Sequence, residues 1–220
     1  MNEGDMNVML DGKKKCAIFG FCDIWNFTDV TVALEEDTMI FVNTISELVH
    51  SSVYRYGGSA NKNIGEAFLL VWNIPDDCYH LNQETNQITW KKENYISILA
   101  DFAVLSFVKT IVKINKDPKI LDYKNDSRLV EMIGPDYQVR MGFGLHIGWA
   151  IEGAIGSEYK IDASYLSPNV NMASRLEAAC KQFGVKMLLS DVLYERLTPE
   201  MKKYCRNIDR VTVKGSNKPI

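Results

Sequence analysis

The 220-residue sequence has few of the residues that form nucleophile pairs or disulfide frameworks. It contains three histidines, none in an evident pairing motif, and five cysteines, none of which belongs to a CxxC pair. An odd number of scattered cysteines is typical of reduced thiols in a cytosolic setting, so we expect free thiols. We therefore interpret Cys22 as a small buried strand residue rather than a nucleophile.

Long apolar runs and a strong charge of one sign are also missing. The net charge of -3 gives no general attraction for nucleic acid, so we expect no nucleic-acid partner. The N-terminal sequence MNEGDMNVMLDGKKK lacks the apolar region of a signal peptide. No run approaches the roughly 18 apolar residues of a membrane span. We expect a soluble chain that has no membrane segment of its own.

The hydrophobic content of 46% is enough for one substantial core, which indicates a single domain. Residues 1–12 are polar and without period, so we expect a flexible segment there and a folded domain over 13–220. The sequence stops soon after the strand-like IDRVTVKG. A last partner strand is therefore expected to be missing, as in a fragment of a larger, membrane-attached protein.

The periodicity of apolar residues predicts strands and helices that interleave along the chain. Strands are predicted at 15–23, in a hairpin over 59–73, and at 139–152, 185–190 and 208–213. Helices are predicted at 33–56 and 96–114 and from the Ser167-Pro168 cap to Gly184, with 76–91 irregular and 116–136 a surface excursion. This order predicts an α/β fold, a ferredoxin-like α/β sandwich with a mostly antiparallel sheet.

Two acidic residues stand where buried strands are expected to end. Asp23 follows the apolar run around Ile18 and Phe19, and Glu66 lies where the predicted hairpin turns. Two carboxylates on neighbouring strand ends can bind Mg²⁺ or Mn²⁺ for phosphoryl transfer. On spacing alone, ordinary strand-end acids would be the better interpretation, so the local sequence must decide.

That local sequence resembles the class III nucleotidyl cyclases. DIWNFTD is similar to their DI-x-x-FT phosphate loop, NKNIGEAF to their K-x-IGD-A-F hairpin and SPNVNMASRLE to their VN-x-ASR helix. GLHIGWAIEGAIGS and RVTVKG fit as well, in the same order, so the resemblance covers roughly residues 15–218. It implies the class III cyclase fold and a cyclase catalytic domain over 13–220 that lacks its last strand.

The resemblance implies two bound metal ions, Mg²⁺ or Mn²⁺, at one end of the predicted sheet. Asp23 would ligate both ions, the backbone carbonyl of Ile24 would ligate one, and Glu66 would be the second metal acid. Phe27 and Thr28 would lie in the loop whose N–H groups hold the triphosphate, a task that suits the start of a helix. Phe27 is also compatible with a core position.

The resemblance further implies three residues that act on the substrate. Arg175 would stabilise charge on the α-phosphate in the transition state, Asn171 would orient the ribose, and Lys214 would meet the terminal phosphates. Considered singly, an arginine on a helix or a lysine on an edge strand is usually a solvated surface charge. These roles therefore depend on the register of all the motifs together.

Two further positions resemble those with which the family selects its base. Adenylate cyclases carry Lys and then Asp, Thr or Ser there, whereas guanylate cyclases tend to Glu and Cys; this chain has Lys62 and Ser164. A lysine ammonium only donates, which suits the acceptor N1 of adenine and not the N1–H of guanine. The resemblance thus implies conversion of ATP to cyclic AMP and pyrophosphate in intracellular signal transduction.

In this family the metal acids of one subunit meet the Asn and Arg of another, so the resemblance implies a homodimer or a pair with a different cyclase domain. It implies a cytoplasmic domain. Glu66 departs from the usual Asp, which predicts lower activity or a preference for Mn²⁺. Two alternatives stay open: a catalytically silent domain that acts as a regulatory dimerisation partner, and a guanylate cyclase.

Overall fold

The computed structural model describes residues 11–157 and 159–211; Lys214 and the end of the RVTVKG motif lie outside this part of the chain. The strands and helices of the described residues follow in chain order. They are β1 (Lys13–Ile24), α1 (Phe27–Leu34), α2 (Thr38–Arg55), β2 (Ser59–Ile64), β3 (Ala67–Asn73), β4 (Tyr79–Leu81), β5 (Ile88–Trp90), α3 (Glu93–Ile114), α4 (Pro118–Asp122), α5 (Ser127–Ile133), β6 (Met141–Ser157), β7 (Lys160–Leu166), α6 (Pro168–Phe183), β8 (Met187–Leu189), α7 (Asp191–Tyr194) and α8 (Pro199–Lys202).

The main sheet has the order β2-β3-β1-β6-β7, and β8 joins β6. All neighbours are antiparallel except β8, which is parallel to β6. The central strand β1 is buried on both faces, since Ile18 and Phe19 point to opposite sides and both are fully buried. The apolar run of β1 explains why this strand is central in the sheet. Asp23, at the end of β1, therefore lies between β3 and β6.

Helices cover both faces of the sheet, so the predicted α/β sandwich with a mostly antiparallel sheet is confirmed. On one face α2 and α3 pack over the larger core cluster. On the other face α6 packs over a smaller cluster that includes Phe19, Tyr165 and Ala173. The α6 backbone approaches β6 so closely that a Cβ at Gly144 would lie 2.0 Å from the carbonyl oxygen of Ala173.

The first helical region differs from the prediction of a single helix over 33–56. The chain forms α1 directly after β1, then a 3₁₀ turn at Glu35–Asp37, and only then α2. Glu35 has a φ of 49°, which lies outside helical geometry and separates the two helices. As a result, a helix begins three residues after Ile24 and presents its N-terminus beside Asp23.

Other differences arise where tertiary pairing decides the local structure. β7 was not predicted because KIDASYL contains Asp, Ala and Ser, which rarely favour strands; pairing with β6 forms it. The predicted irregular segment 76–91 contains the β4–β5 hairpin, and the excursion 116–136 contains α4 and α5. Residues 208–211, the described part of a predicted strand, have no regular structure.

One described helix, α3, is long and apolar enough to cross a membrane by length and composition alone. From the sequence we expect no such segment. Ile96, Ala103 and Phe107 of this helix are fully buried in the core, where α3 packs against α2 and the sheet. This burial accounts for its apolar composition as a core helix.

Candidate active site

Asp23 is held at the end of the central strand by both neighbouring strands. It pairs with Ala67 of β3 and with Gly142 of β6. Its side chain is half-buried, and its Oδ1 atom is buried without a hydrogen-bond donor among residues 11–157 and 159–211. Burial, followed by the nearby charge of Glu66, raises the pKa of Asp23 above its ordinary value.

Glu66 reaches Asp23 because the β2–β3 hairpin turns immediately before Ala67. The turn consists of Gly65 and Glu66, and Gly65 adopts a φ of 61°, which glycine reaches without steric cost. The register places Asp23 opposite Ala67, so Glu66 follows as the adjacent carboxylate. The predicted approach of the two acids is present in the structure.

This pair of acids fits a divalent cation. An unpartnered, buried carboxylate oxygen beside a second carboxylate is unfavourable without a positive charge, and carboxylate oxygens are the ligands that Mg²⁺ and Mn²⁺ prefer. Within 11–157 and 159–211, no group of three His, Cys, Asp or Glu side chains forms a larger ligand cluster. Asp23, Glu66 and the Ile24 carbonyl are therefore the groups that could hold metal.

A possible phosphate-binding loop lies between β1 and α1. Asn26 precedes the helix with a φ of 59° and makes no side-chain cap hydrogen bond. Phe27 and Thr28 form the first residues of α1, whose leading N–H groups have no partner within the helix. An anion bound there would accept hydrogen bonds from these groups and would be favoured by the helix dipole.

Lys62 and Ser164 lie close to a contact between the two edge strands β2 and β7. Asn61 is an extra residue at a bulge in β2, where the register shifts between Ala60 and Lys62. Its Nδ2 atom donates a hydrogen bond of 3.3 Å to the carbonyl oxygen of Ala163, the residue before Ser164. The two edge strands therefore approach each other on the side of the sheet that α6 covers. Lys62 follows Asn61 and Ser164 follows Ala163, so Lys62 and Ser164 lie next to this hydrogen bond.

Asn171 and Arg175 lie about one helical turn apart on α6. Asn171 is exposed and Arg175 is half-exposed. In the part of the chain that the structure describes, Arg175 forms no ion pair with Asp23 or Glu66. Both side chains are therefore available to a substrate or to another subunit.

The sequence did not predict a contact between Trp25, which lies in this loop, and Glu177 of α6. The Trp25 Nε1–H donates to Glu177 Oε1 at 3.3 Å, and Glu177 is only 4% exposed. Burial raises the pKa of Glu177 to about 7, and the charge of Asp23 adds to this effect, while the Trp25 hydrogen bond opposes it. The sequence held a signal for this contact, because Glu177 lies four residues after Ala173 and three before Cys180, two apolar residues at helical spacing that are buried in the structure.

A sequence model of the adenylate and guanylate cyclase catalytic domain matches residues 9–220. Two curated relatives are similar over nearly the whole chain. "Adenylate cyclase, terminal-differentiation specific" of Dictyostelium discoideum is 25% identical over 209 residues, which are 94% of this chain and 8% of that protein. "Adenylate cyclase" of Anabaena cylindrica is 26% identical over 204 residues, 91% of this chain and 34% of the relative. The chain spans a minor part of both relatives.

The fold is also similar to solved structures. The catalytic core of a rhodopsin-guanylyl cyclase with converted specificity, in complex with ATPalphaS, superposes with a TM-score of 0.67 at 22% identity, and the match covers 96% of both chains. This similarity confirms the cyclase fold that the motifs implied. The names of the similar proteins include both adenylate and guanylyl cyclases, so they leave the base open.

Proposed function

Because the chain belongs to the family of adenylate and guanylate cyclase catalytic domains, we propose that it converts ATP to cyclic AMP and pyrophosphate. The observation that carries this proposal is the Asp23–Glu66 pair. Asp23 has an unpartnered, buried oxygen beside a second carboxylate, and the N-terminus of a helix begins four residues later. Carboxylates for metal beside donors for phosphate are what phosphoryl transfer requires.

In this reaction the ribose 3′-oxygen attacks the α-phosphorus, and the bond from that phosphorus to the oxygen leading to the β-phosphate breaks. Bound Mg²⁺ or Mn²⁺ would supply neutralisation of the phosphates and a lower pKa for the 3′-hydroxyl. Asp23, Glu66 and the Ile24 carbonyl would hold the metal ions. The N–H groups around Phe27 and Thr28 hold the triphosphate in line for the attack.

The remaining roles belong to a composite site between two subunits. Arg175 neutralises charge on the α-phosphate as the new bond forms, and Asn171 orients the ribose. Their exposure, and the lack of an ion pair between Arg175 and either acid among the described residues, support a head-to-tail dimer in which α6 of one subunit serves the acids of the other. Lys214 binds the terminal phosphates. The partner is a second copy or another cyclase domain, and the parent protein is a larger signalling protein with this domain in the cytoplasm.

The choice of ATP over GTP is supported by Lys62 and Ser164. Both are next in sequence to the residues of the Asn61–Ala163 hydrogen bond, which brings their two strands together, and Ser164 is buried there. The Lys62 ammonium donates to N1 of adenine, while Ser164 can accept from the exocyclic amine. The two curated relatives named above are adenylate cyclases, which favours the same base.

A second candidate function is a catalytically silent partner domain. The observation that favours it is Glu66, whose additional methylene moves the carboxylate relative to the usual Asp. Mg²⁺ requires near-ideal octahedral geometry at about 2.0–2.1 Å, so a displaced ligand lowers turnover. The experiment below distinguishes the two candidates.

The test is cyclic nucleotide formation by the purified chain at high protein concentration, with ATP and GTP each combined with Mg²⁺ and Mn²⁺. We expect cyclic AMP, and we expect Arg175→Ala to reduce its formation by about 10²- to 10³-fold. Cyclic GMP as the main product would overturn the roles of Lys62 and Ser164. Silence in all four conditions from a folded, dimeric sample would favour the regulatory partner.

A further inference from the structure

The indole of Trp25 is held between two side chains of α6. Glu177 Oε1 accepts the hydrogen bond of its Nε1–H, and the Lys181 ammonium lies over its ring, 5.6 Å from the centroid. Glu177 and Lys181 are four residues apart, so they stand on one face of the helix. We call Trp25, Glu177 and Lys181 the indole clamp.

The backbone of β6 forms the floor of the indole clamp. A Cβ at Gly142 would lie 2.1 Å from Glu177 Oε1 and 2.8 Å from Trp25 Nε1, so both groups rest against bare backbone. Gly142 is also the residue that pairs with Asp23. The Trp25 backbone N–H donates to the carbonyl oxygen of Arg140 at 2.9 Å, so main chain and side chain both fix the residue.

Trp25 stands in the loop that joins Asp23 to the start of α1. A clamp that holds this side chain also restricts displacement of the loop that carries it, which includes the carbonyl of Ile24 and the first N–H groups of the helix. Loss of the Glu177 acceptor would leave the part-buried Trp25 N–H without this partner, which favours displacement of the indole and of the loop that carries it. The geometry of the clamp therefore bears directly on the loop.

We propose that Glu177 and Lys181 are positioning residues that fix this loop through Trp25, so that α6 sets the phosphate-binding site of its own subunit. The proposal rests on the function proposed above, because that function assigns the loop to the triphosphate. The same helix carries Asn171 and Arg175, which serve the other subunit's site in the proposed dimer. One helix thus positions parts of two sites.

A direct metal-binding role for Glu177 is less consistent with the structure. Among the described residues, Glu177 is not part of a group of three metal-ligating side chains with Asp23 and Glu66. One of its oxygens is already engaged by the Trp25 N–H. The hydrogen bond from Trp25 is what a side chain that positions the indole would make.

The test measures the affinity of the purified chain for 3′-deoxy-ATP with Mg²⁺, since this nucleotide lacks the attacking hydroxyl and binds without turnover. Glu177→Met removes the acceptor at similar length, and we expect about tenfold weaker binding. Glu177→Gln keeps an acceptor, and we expect binding within about threefold of the unmodified chain. Asp101→Leu is the matched control, because Asp101 accepts its hydrogen bonds from Thr198, away from the loop. It should lower stability without weakening binding.

A double-mutant cycle with Trp25→Phe separates positioning from a general loss of stability. Phe keeps a ring and removes the N–H, so Glu177→Met should weaken binding little further in this background. Additive losses would overturn the proposal, as would equal binding by Glu177→Met and the unmodified chain. Equal losses in Glu177→Gln and Glu177→Met would also overturn the acceptor role.

Failure of the proposed function would look different. If the unmodified chain binds neither 3′-deoxy-ATP nor 3′-deoxy-GTP, the cyclase proposal fails. The clamp is then tested by hydrogen exchange of the Trp25 indole N–H, assigned by its loss in Trp25→Phe. Protection in the unmodified chain and fast exchange in Glu177→Met support the clamp, and equal exchange in both overturns it.

Discussion

At the scale of single residues, Glu66 bears on how well the proposed metal site uses Mg²⁺. In that proposal its carboxylate shares a cation with Asp23, whose Oδ1 has no hydrogen-bond donor among the described residues. A glutamate reaches further than an aspartate from the same turn, so the two carboxylates cannot both keep their places around a small, rigid ion. Mn²⁺ tolerates such a departure better.

We therefore expect Glu66→Asp to raise turnover with Mg²⁺ relative to Mn²⁺ by roughly ten- to a hundredfold, because small displacements at a reacting centre have effects of this size. The measurement is cyclic nucleotide formation with each metal. Glu66→Gln, which removes the charge, should lose activity with both. An unchanged ratio of the two metals would contradict this account of Glu66.

The raised pKa of Glu177, also a property of a single residue, predicts that the stability of the chain depends on pH. Its pKa is about 7 in the folded chain and 4.5 in a model compound, so the folded state binds the proton more tightly. The free energy of unfolding is thus greatest, as far as Glu177 contributes, below pH 4.5, and this contribution is lost as the pH rises through 7. Glu177→Gln removes that loss.

At pH 8 we expect Glu177→Gln to be more stable than the unmodified chain by roughly 1–2 kcal/mol relative to the difference at pH 4.5. Urea unfolding without metal at both pH values measures this. The exposed Glu200→Gln on α8 is the control. The same stability difference at both pH values would show that Glu177 does not ionise in this range.

At the scale of elements, the sequence predicted those helices and strands that helix caps, helix-ending glycines or alternating apolar residues mark. The Ser167 side chain caps α6 by accepting from the Asn169 N–H, and Gly184 ends the helix with a φ of 62°, both as predicted. The strict alternation of β6 also predicted a strand. In contrast, β7 and the β4–β5 hairpin depend on partners far along the chain, which periodicity does not report.

The packing of α6 on β6 yields a prediction about these two elements. A Cβ at Gly144 would meet backbone atoms, 2.0 Å from the oxygen of Ala173 and 2.5 Å from the nitrogen of Glu177, so α6 must move. We expect Gly144→Ala to lower the free energy of unfolding by roughly 2–3 kcal/mol. Denaturant unfolding measures it.

Gly153→Ala on the same strand is the control for that substitution, because the nearest atom to its Cβ would be the Gly12 Cα at 3.3 Å. A shift of a few tenths of an ångström relieves that contact. Similar losses at both positions would mean that the close approach of α6 does not limit what residue 144 can be.

At the scale of the whole molecule, the residues predicted for the site fall into two groups within one chain. The register that pairs Asp23 with Ala67 places Glu66 beside it, and the charge of Glu66 acts on Asp23. Asn171 is exposed and Arg175 half-exposed on α6, and among the described residues Arg175 forms no ion pair with either acid. The family resemblance implies that a second subunit joins the two groups, and this assembly stays a prediction.

A mixture of two inactive variants tests this assembly. In a head-to-tail homodimer, Asp23→Asn and Arg175→Ala damage opposite halves of each composite site, so a mixed dimer keeps one intact site. We expect the equimolar mixture to recover about a quarter of the unmodified activity, from random pairing in a two-fold symmetric dimer.

The control mixture combines Asp23→Asn with Glu66→Gln, which damage the same half and should recover nothing. Activity of either single variant alone, or no recovery in the first mixture with dimers present, would contradict a composite site. Recovery that disappears on dilution would give the strength of the dimer.

The position of β1 has a consequence for synthesis of the protein. This strand is made before α6, and Glu177, which contacts Trp25 just beyond the end of β1, follows Trp25 by 152 residues. At about 5–20 residues per second, the ribosome needs roughly 8–30 s to make that stretch. A nascent chain in this interval carries an apolar strand without its covering helix α6. We expect β1 to be bound by chaperones until α6 has left the ribosome.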